Sequence, residues 1–182
     1  MYKNILLLLI CSLIMLTSCS QNTNIKKTLP DFKDMNDLPT SYTLEDAKLD
    51  GCVVFEDLTL ISGEANWNEF LDLSQSDKEA TIRIVTYYSD ESNLYIKDLS
   101  FDGSYYYVTE KDEEFRKYRF LNHYTIKAGN NANYKTFDYY ILVNEKDVSF
   151  DSLERSMTSS KSDAYIDQYR FILTKYNNGF NF

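Results

Sequence analysis

The alternation of apolar and polar residues divides the chain into three parts. Residues 5–16 form an apolar run that only Ser12 interrupts, and residues 20–41 are polar, weakly patterned and contain both prolines. Regular patterning begins near Tyr42. We therefore predict a leader over residues 1–18, a flexible tether over residues 19–41 and a single folded domain over residues 42–182.

The first part of the domain predicts a short helix followed by a strand. Thr43 and Asp46 have the spacing of a capping box, with Asp46 in the place of the usual glutamate, and Gly51 is suited to end the helix. Residues 52–55 (CVVF) then predict a strand, which residues 58–61 either continue or follow with a second strand.

A second helix is predicted from Asn66, as its N-cap, to about Ser76. Its apolar stripe contains Trp67, Phe70 and Leu71, which are spaced as neighbours on one helix face.

From residue 80 onward the apolar period shortens to that of a strand. Asp102-Gly103 stands between two such runs and predicts a type I′ turn with positive φ at both residues. The loops are short, so we predict an α+β domain: an antiparallel meander sheet of about five to seven strands with one or two short helices packed on one face. The pattern predicts a helix at 150–157 and strands at 80–88, 93–101, 104–108, 116–127, 136–143 and about 166–175.

Cys19 follows the apolar run in the order Leu16-Thr17-Ser18-Cys19. This order resembles a bacterial lipobox, in which the cysteine is acylated and becomes the first residue of the mature chain. The 12-residue run at positions 5–16 has the length of a signal-peptide core, whereas a bilayer span takes roughly 20 residues. The alternative is an ordinary secretory signal with an incidental cysteine. We predict a lipid on Cys19 that anchors the chain at the outer, extracytoplasmic face of the cell membrane.

Several segments together resemble a known family. The stretches YTLEDAKLDGCVVF at 42–55, ATIRIVTYY at 80–88 and IKDLSFDGSYYYV at 96–108 are similar to an uncharacterised domain of lipoproteins from Bacillus, Clostridium and related bacteria, domain of unknown function 4362. The resemblance covers roughly residues 42–143. It implies a surface lipoprotein of Gram-positive type, and it implies no catalytic residues.

The charge of the mature chain excludes one class of partner. Without residues 1–18, which hold one base and no acid, 164 residues remain with 18 bases and 28 acids, a formal charge of −10. Nucleic acid requires a basic surface, so we expect no nucleic-acid partner. The same charge opposes attachment to anionic lipid, so contact with the membrane depends on the lipid at Cys19.

Few residues with catalytic or metal-binding chemistry are present. Besides Cys19, the mature chain has one thiol, Cys52, and one imidazole, His123. These two do not make a tetrahedral zinc site, and no motif for phosphate, dinucleotide or serine-nucleophile chemistry occurs. Cys52 opens an apolar strand, which favours a buried hydrophobic residue over a nucleophile paired with His123. We expect no cofactor, no metal and no catalytic residue.

Tyrosine is unusually frequent, and 14 of the 16 tyrosines lie between Tyr87 and Tyr176. A half-buried sheet explains this composition, and an exposed aromatic face that binds an envelope protein, peptide or glycan is the alternative. We expect a non-enzymatic binding or accessory module of the cell envelope. A hydrolase acting on wall polymer or peptide is the second hypothesis, and a structural spacer is the third. A binding module requires an exposed aromatic patch, whereas a hydrolase requires a pocket with converging carboxylates.

Overall fold

The computed structural model describes residues 29–91, 94–110, 116–158, 166 and 168–177. Within these residues the chain forms three α-helices, nine strands and a 3-10 helix over Met35–Asp37. The helices are α1 (Leu44–Leu49), α2 (Glu64–Gln75) and α3 (Phe150–Thr158). The strands are β1 (Val53–Glu56), β2 (Thr59–Ser62), β3 (Ala80–Tyr87), β4 (Leu94–Phe101), β5 (Tyr106–Glu110), β6 (Arg116–Tyr118), β7 (Phe120–Lys127), β8 (Thr136–Val143) and β9 (Tyr169–Asn177). The predicted α+β class is confirmed.

The described strands belong to two sheets. The first sheet has the order β2-β1-β3-β4-β5-β6, and the second has the order β7-β8-β9. β1 runs parallel to β3 because β2 and α2 lie between them in the chain and supply the long connection that a parallel pair requires. The meander is present from β3 to β6, but in place of one sheet of five to seven strands the described chain has nine strands in two sheets.

The chain passes from the first sheet to the second at Arg119. The sequence predicted one strand over residues 116–127, whereas β6 pairs with β5 and β7 pairs with β8. The backbone N–H of Arg119 donates to the carbonyl of Val143 at 3.2 Å, which fixes the start of the new pairing. The apolar pattern does not change at this point, and therefore it could not indicate the change of partner strand.

The main core lies between the two sheets. Ile82, Ile84 and Leu99 of the first sheet are buried against Leu142 and Leu173 of the second. We call these facing surfaces the inner surfaces of the sheets. α2 packs into the same core through its apolar stripe, so the helix stabilises the inner side of the first sheet.

The outer surface of each sheet carries one helix. α1 covers the first sheet, where Ala47 packs against Cys52, Val54 and Val85. α3 covers one end of the second sheet, where Leu153 is fully buried among apolar residues of β8. Cys52 is therefore the buried hydrophobic residue that the sequence predicted.

The two helix starts compare differently with the predictions. The capping box at α1 is confirmed, since the N–H of Asp46 donates to Thr43 Oγ1 and the N–H of Thr43 donates to Asp46 Oδ2. α2 instead begins after Gly63, so the prediction of Asn66 as its N-cap is wrong. The amide of Asn66 donates to the carbonyl of Gly51 at 2.7 Å, a tertiary contact that the local pattern did not reveal.

The predicted hairpin turn is present with a different geometry. Phe101 pairs with Tyr106, so the loop has four residues, and Gly103 has a φ of +90° whereas Asp102 is not among the residues with positive φ. The type I′ prediction is therefore wrong, because Asp102 Oδ1 instead accepts hydrogen bonds from the two N–H groups of residues 104 and 105. A two-residue turn with positive φ at both positions joins β1 to β2, at Asp57 (+45°) and Leu58 (+68°).

Residues 29–34, which we call the N-terminal strap, contact the folded domain although the sequence places them in the predicted tether. Leu29 and Phe32 pack against core residues. The guanidinium of Arg83 donates to the carbonyl of Lys33 at 2.6 Å and to both carboxylate oxygens of Asp98 at 2.7 Å. Arg83 is only 1% exposed, so this buried ion pair holds the strap on the outer surface of the first sheet.

Candidate functional site

Among the tyrosines that could form an exposed aromatic face, the triplet at residues 105–107 has structural roles. Tyr106 is buried in the main core, and the hydroxyl of Tyr107 donates to Asp102 at 2.6 Å. The ammonium of Lys117 lies 4.8 Å from the centre of the Tyr105 ring. These contacts stabilise the hairpin, so packing accounts for the triplet.

A cluster of aromatic side chains lies on the outer surface of the second sheet. We call Tyr134, Phe137, Tyr139 and Tyr176 the aromatic face. Phe137 of β8 and Tyr176 of β9 are directly paired across the strands, with ring centres 5.1 Å apart. The Tyr134 ring, from the β7–β8 loop, is 4.3 Å from that of Tyr176. All four side chains are intermediate between buried and exposed, so the rings pack together and still contact solvent.

α3 defines the boundary of the aromatic face. The Phe150 ring of α3 stacks on Tyr139, with centres 5.1 Å apart and planes at 20°. Beyond this contact, Ile141 and Val143 of β8 are fully buried beneath α3. One end of the outer surface is therefore core, and the other end is the partly exposed aromatic face.

Two phenol groups of the aromatic face, those of Tyr139 and Tyr176, have a raised pKa and are neutral at physiological pH. Burial raises the pKa of Tyr139 above its ordinary value, and the neighbouring Tyr134 raises it further. Burial also raises the pKa of Tyr176, again with Tyr134 as the next cause. The face thus combines apolar ring surface with hydroxyls that donate and accept hydrogen bonds, which is the chemistry of aromatic binding surfaces.

A second cluster lies on the inner side of the second sheet, where the imidazole of His123 (β7) contacts the carboxylate of Asp138 (β8). His123 Nε2 lies 3.1 Å from Asp138 Oδ1, and the imidazole stacks on Tyr140 with ring centres 4.5 Å apart. Asp138 also accepts hydrogen bonds from Thr125 and Asn177, each at 2.6 Å. Burial alone would raise the pKa of Asp138, but these partners hold it below its ordinary value.

The His123–Asp138 pair has two chemical capabilities. It ties three neighbouring strands together, because Asp138 of β8 also bonds Thr125 of β7 and Asn177 of β9. An imidazole next to a carboxylate is also the arrangement of a general base. Asp138 has no distinguishing signal in the sequence, and only the register of β7 with β8 brings it close to His123.

Cys52 does not form a nucleophile–base pair with His123 in the structure. Cys52 lies on the side of the first sheet that α1 covers and is fully buried there, with its Sγ 3.7 Å from the Tyr42 hydroxyl. His123 belongs to the second sheet. Burial raises the pKa of the Cys52 thiol to about 11, so the group is protonated and not nucleophilic at neutral pH.

The predicted lipidation residue, Cys19, lies outside the described residues, as do the leader and the first part of the predicted tether. In the described part of the chain, no helix has the length and apolar character to cross a bilayer. Nor do three or more histidine, cysteine or acidic side chains within it form a group suited to a metal ion.

No family model, curated protein or solved structure matches this chain. The resemblance to the lipoprotein domain family therefore stays a prediction.

Proposed function

We propose that this chain is a lipid-anchored protein of the cell envelope, whose domain is a non-enzymatic module that binds an envelope peptide or glycan through the aromatic face. The observation that supports this function most strongly is the group of four partly exposed, mutually packed rings at one end of the second sheet. Tyrosine offers a large contact area with little loss of conformational entropy, which makes such a group suited to binding.

The position of the N-terminal strap supports an outward orientation of the aromatic face. Phe32 and Lys33 of the strap contact Arg83 on the outer surface of the first sheet, Leu29 packs against the main core, and the aromatic face is on the outer surface of the second sheet. Cys19 precedes Leu29 by ten residues, a segment with an r.m.s. span of roughly 17 Å if flexible. A lipid on Cys19 would therefore hold the first sheet near the membrane and leave the aromatic face directed away from it.

Charge limits the chemistry of the ligand. The mature chain carries a formal charge of −10, and the raised pKa values of Tyr139 and Tyr176 keep these two phenols of the aromatic face neutral. Polyanions are disfavoured near an acidic domain. The proposed ligand is therefore an uncharged or basic segment, such as a glycan strand or a peptide of the cell wall.

Binding to purified cell-wall sacculi tests this function. The probe is the chain from residue 19 with Cys19→Ser, which retains every described residue. We expect the Tyr134→Ala/Tyr176→Ala variant to lose most of its binding to sacculi. Tyr95→Ala is the matched control, because Tyr95 is 48% exposed and lies in β4 of the other sheet. Equal retention of all three proteins on the sacculi would contradict a role for the aromatic face in binding the wall.

The His123–Asp138 pair favours a second function, an envelope hydrolase, in which His123 would act as a general base. His123 is 46% exposed and Asp138 is 16% exposed, so the imidazole is accessible to a substrate. Release of soluble fragments from sacculi is the readout. A hydrolase would release fragments and lose this activity in His123→Gln, whereas the binding module releases none in either form.

A further inference from the structure

A cavity of about 190 Å³ lies between the two sheets, beside the Asp57-Leu58 turn. It is bounded by the ends of β1 and β3, by β4 and by β9. For comparison, a cavity of about 150 Å³ is known to accept benzene. The space therefore fits one small apolar group, such as a phenyl ring or a branched aliphatic chain.

Polar and apolar atoms share the cavity wall, and the apolar part is firmly held. Phe55, Ile172 and Leu173 line it, and each is less than a tenth exposed. Ile172 is the extra residue of a β-bulge, because Tyr140 pairs with Leu173 while the next residue of β8 pairs with Phe171. Bulges of this kind redirect side chains and are frequent next to binding sites.

Phe171 and Leu58 complete the apolar part of the wall, and the backbone of Leu58 has an unusual conformation. Its φ of +68° lies in the left-handed region, which is uncommon for a bulky side chain. Two hydrogen bonds hold the turn in place: the N–H of Asp57 donates to the carbonyl of Tyr87 at 3.0 Å, and the N–H of Ser89 donates to Asp57 Oδ1 at 2.8 Å. Backbone strain maintained in this way collects at ligand sites.

Lys97 places one positive charge at the cavity. Its side chain is 20% exposed, and its ammonium lies 3.4 Å from Oε1 of Glu110. This ion pair is long, since direct N–H to carboxylate contacts are about 2.7–2.9 Å. Among the described residues Oε1 has no hydrogen-bond partner, whereas Glu110 Oε2 accepts from Arg170 at 2.6 Å. Arg170 thus makes the shorter contact to Glu110, and the Lys97 ammonium, at the longer distance, is placed to bind a second anion.

From these features we propose that the cavity binds an apolar group that carries a carboxylate, with the apolar group among Phe55, Leu58 and Leu173 and the carboxylate on the Lys97 ammonium. A hydroxyl of Thr86 also lines the cavity and is able to hydrogen-bond the ligand. Two sources present this chemistry: a free small carboxylic acid, and the carboxyl-terminal residue of a peptide. The cavity shares no residue with the aromatic face, although the ring of Phe171, which lines the cavity, lies 5.9 Å from that of Tyr139. The proposal does not depend on that face binding the cell wall.

The test is an NMR titration of the chain from residue 19 with Cys19→Ser, which follows the methyl signals of Ile172 and Leu173. The free-acid arm uses 3-phenylpropionate, with 3-phenylpropanamide as its uncharged control. The peptide arm uses acetyl-Gly-Gly-Phe with a free carboxyl terminus, with the carboxamide form as its control. The variants are Lys97→Met, which removes the charge, and Lys97→Arg, which keeps it. Lys48→Met is the matched control, because Lys48 lies on α1 and pairs only locally with Glu45.

We expect at least one of the two acids to shift both methyl signals and to bind about tenfold or more tightly than its amide. Lys97→Met should weaken that acid by a similar factor, while Lys97→Arg and Lys48→Met should keep most of the affinity. Binding of only one acid identifies the source of the ligand. The proposal is overturned if neither acid shifts these methyl signals. It is also overturned if acid and amide bind equally well to the chain with Lys97 in place, and this comparison does not require a Lys97 variant to fold. Unchanged affinity in a folded Lys97→Met variant would overturn it as well.

Discussion

Replacing Arg83 by methionine should destabilise the domain strongly. The substitution keeps an unbranched apolar stem but removes two charge-assisted hydrogen bonds to Asp98 and one to the carbonyl of Lys33. Breaking a buried ion pair costs about 3–5 kcal/mol, because the remaining charge is left without a partner. Asp98 is 19% exposed, so water compensates in part, and we expect a loss of about 3 kcal/mol, the lower end of that range.

Urea unfolding of the chain from residue 19 with Cys19→Ser measures this loss. In a thermal melt, about 3 kcal/mol corresponds to a fall in Tm of roughly 6–12 °C for a domain of this size. Arg116→Met is the matched control, since Arg116 is exposed on β6, and its effect should stay within about 0.5 kcal/mol. Trypsin should also cleave after Lys33 faster in Arg83→Met, because the strap is no longer held. A loss below about 1 kcal/mol with unchanged cleavage would refute the claim that Arg83 fixes the strap.

Three further predictions follow from the sequence and the fold. Cys19→Ala should release the protein from the membrane fraction or leave it unprocessed. The anchor is contradicted if this variant still fractionates with membranes and mass spectrometry finds no acyl group on the native chain. Gly63→Ala should destabilise the domain more than Gly103→Ala in urea melts, because a Cβ at Gly63 would lie 2.2 Å from a backbone oxygen whereas one at Gly103 meets an atom only at 3.4 Å; equal midpoints would contradict this. Arg170 holds the pKa of Glu110 below its ordinary 4.5 despite burial, so the ionised carboxylate stabilises the fold above about pH 4.5, and this contribution is lost as the pH falls through the lower pKa of the folded state. Glu110→Gln should therefore lose less stability than the parent on acidification, and parallel pH profiles of the two proteins would argue against this.

The sequence predicted the elements whose signals are local. The capping box of α1 depends on two residues three positions apart, and the structure confirms it. β3, β4 and β8 were expected from their alternation and high β-propensity, and the structure has strands there. Such features follow from the chain's immediate neighbourhood, where capping and periodicity are decided.

The features that were missed depend on contacts between distant segments. Arg119 lies in an uninterrupted β pattern, so nothing local indicates that the chain changes sheets there. Asn66 has the residue type of an N-cap, but its amide bonds to Gly51 and the helix begins earlier. Leu58 adopts a left-handed backbone that residue preference disfavours, because the close pairing of β1 and β2 requires a two-residue turn.

The candidate site was predictable only in kind. Tyrosine content indicated an aromatic surface, but the triplet at 105–107, the densest run, is used in packing. The aromatic face combines Tyr134, Phe137 and Tyr176 from a loop and two strands, and the register of β8 with β9 decides that grouping. A register of this kind is set by the whole fold and cannot be derived from one strand alone.

Photo-crosslinking in intact producing cells tests the central claim most directly, because it examines the full-length protein where the cell places it. A crosslinking amino acid replaces Tyr176 in one strain and Tyr95 in another, so that the aromatic face and the opposite sheet are compared at equal expression. Our account predicts a crosslinked envelope peptide or glycan from position 176 and none from position 95. Identical crosslinking from both positions, or none from position 176 while position 95 crosslinks, would contradict the aromatic face as the binding surface.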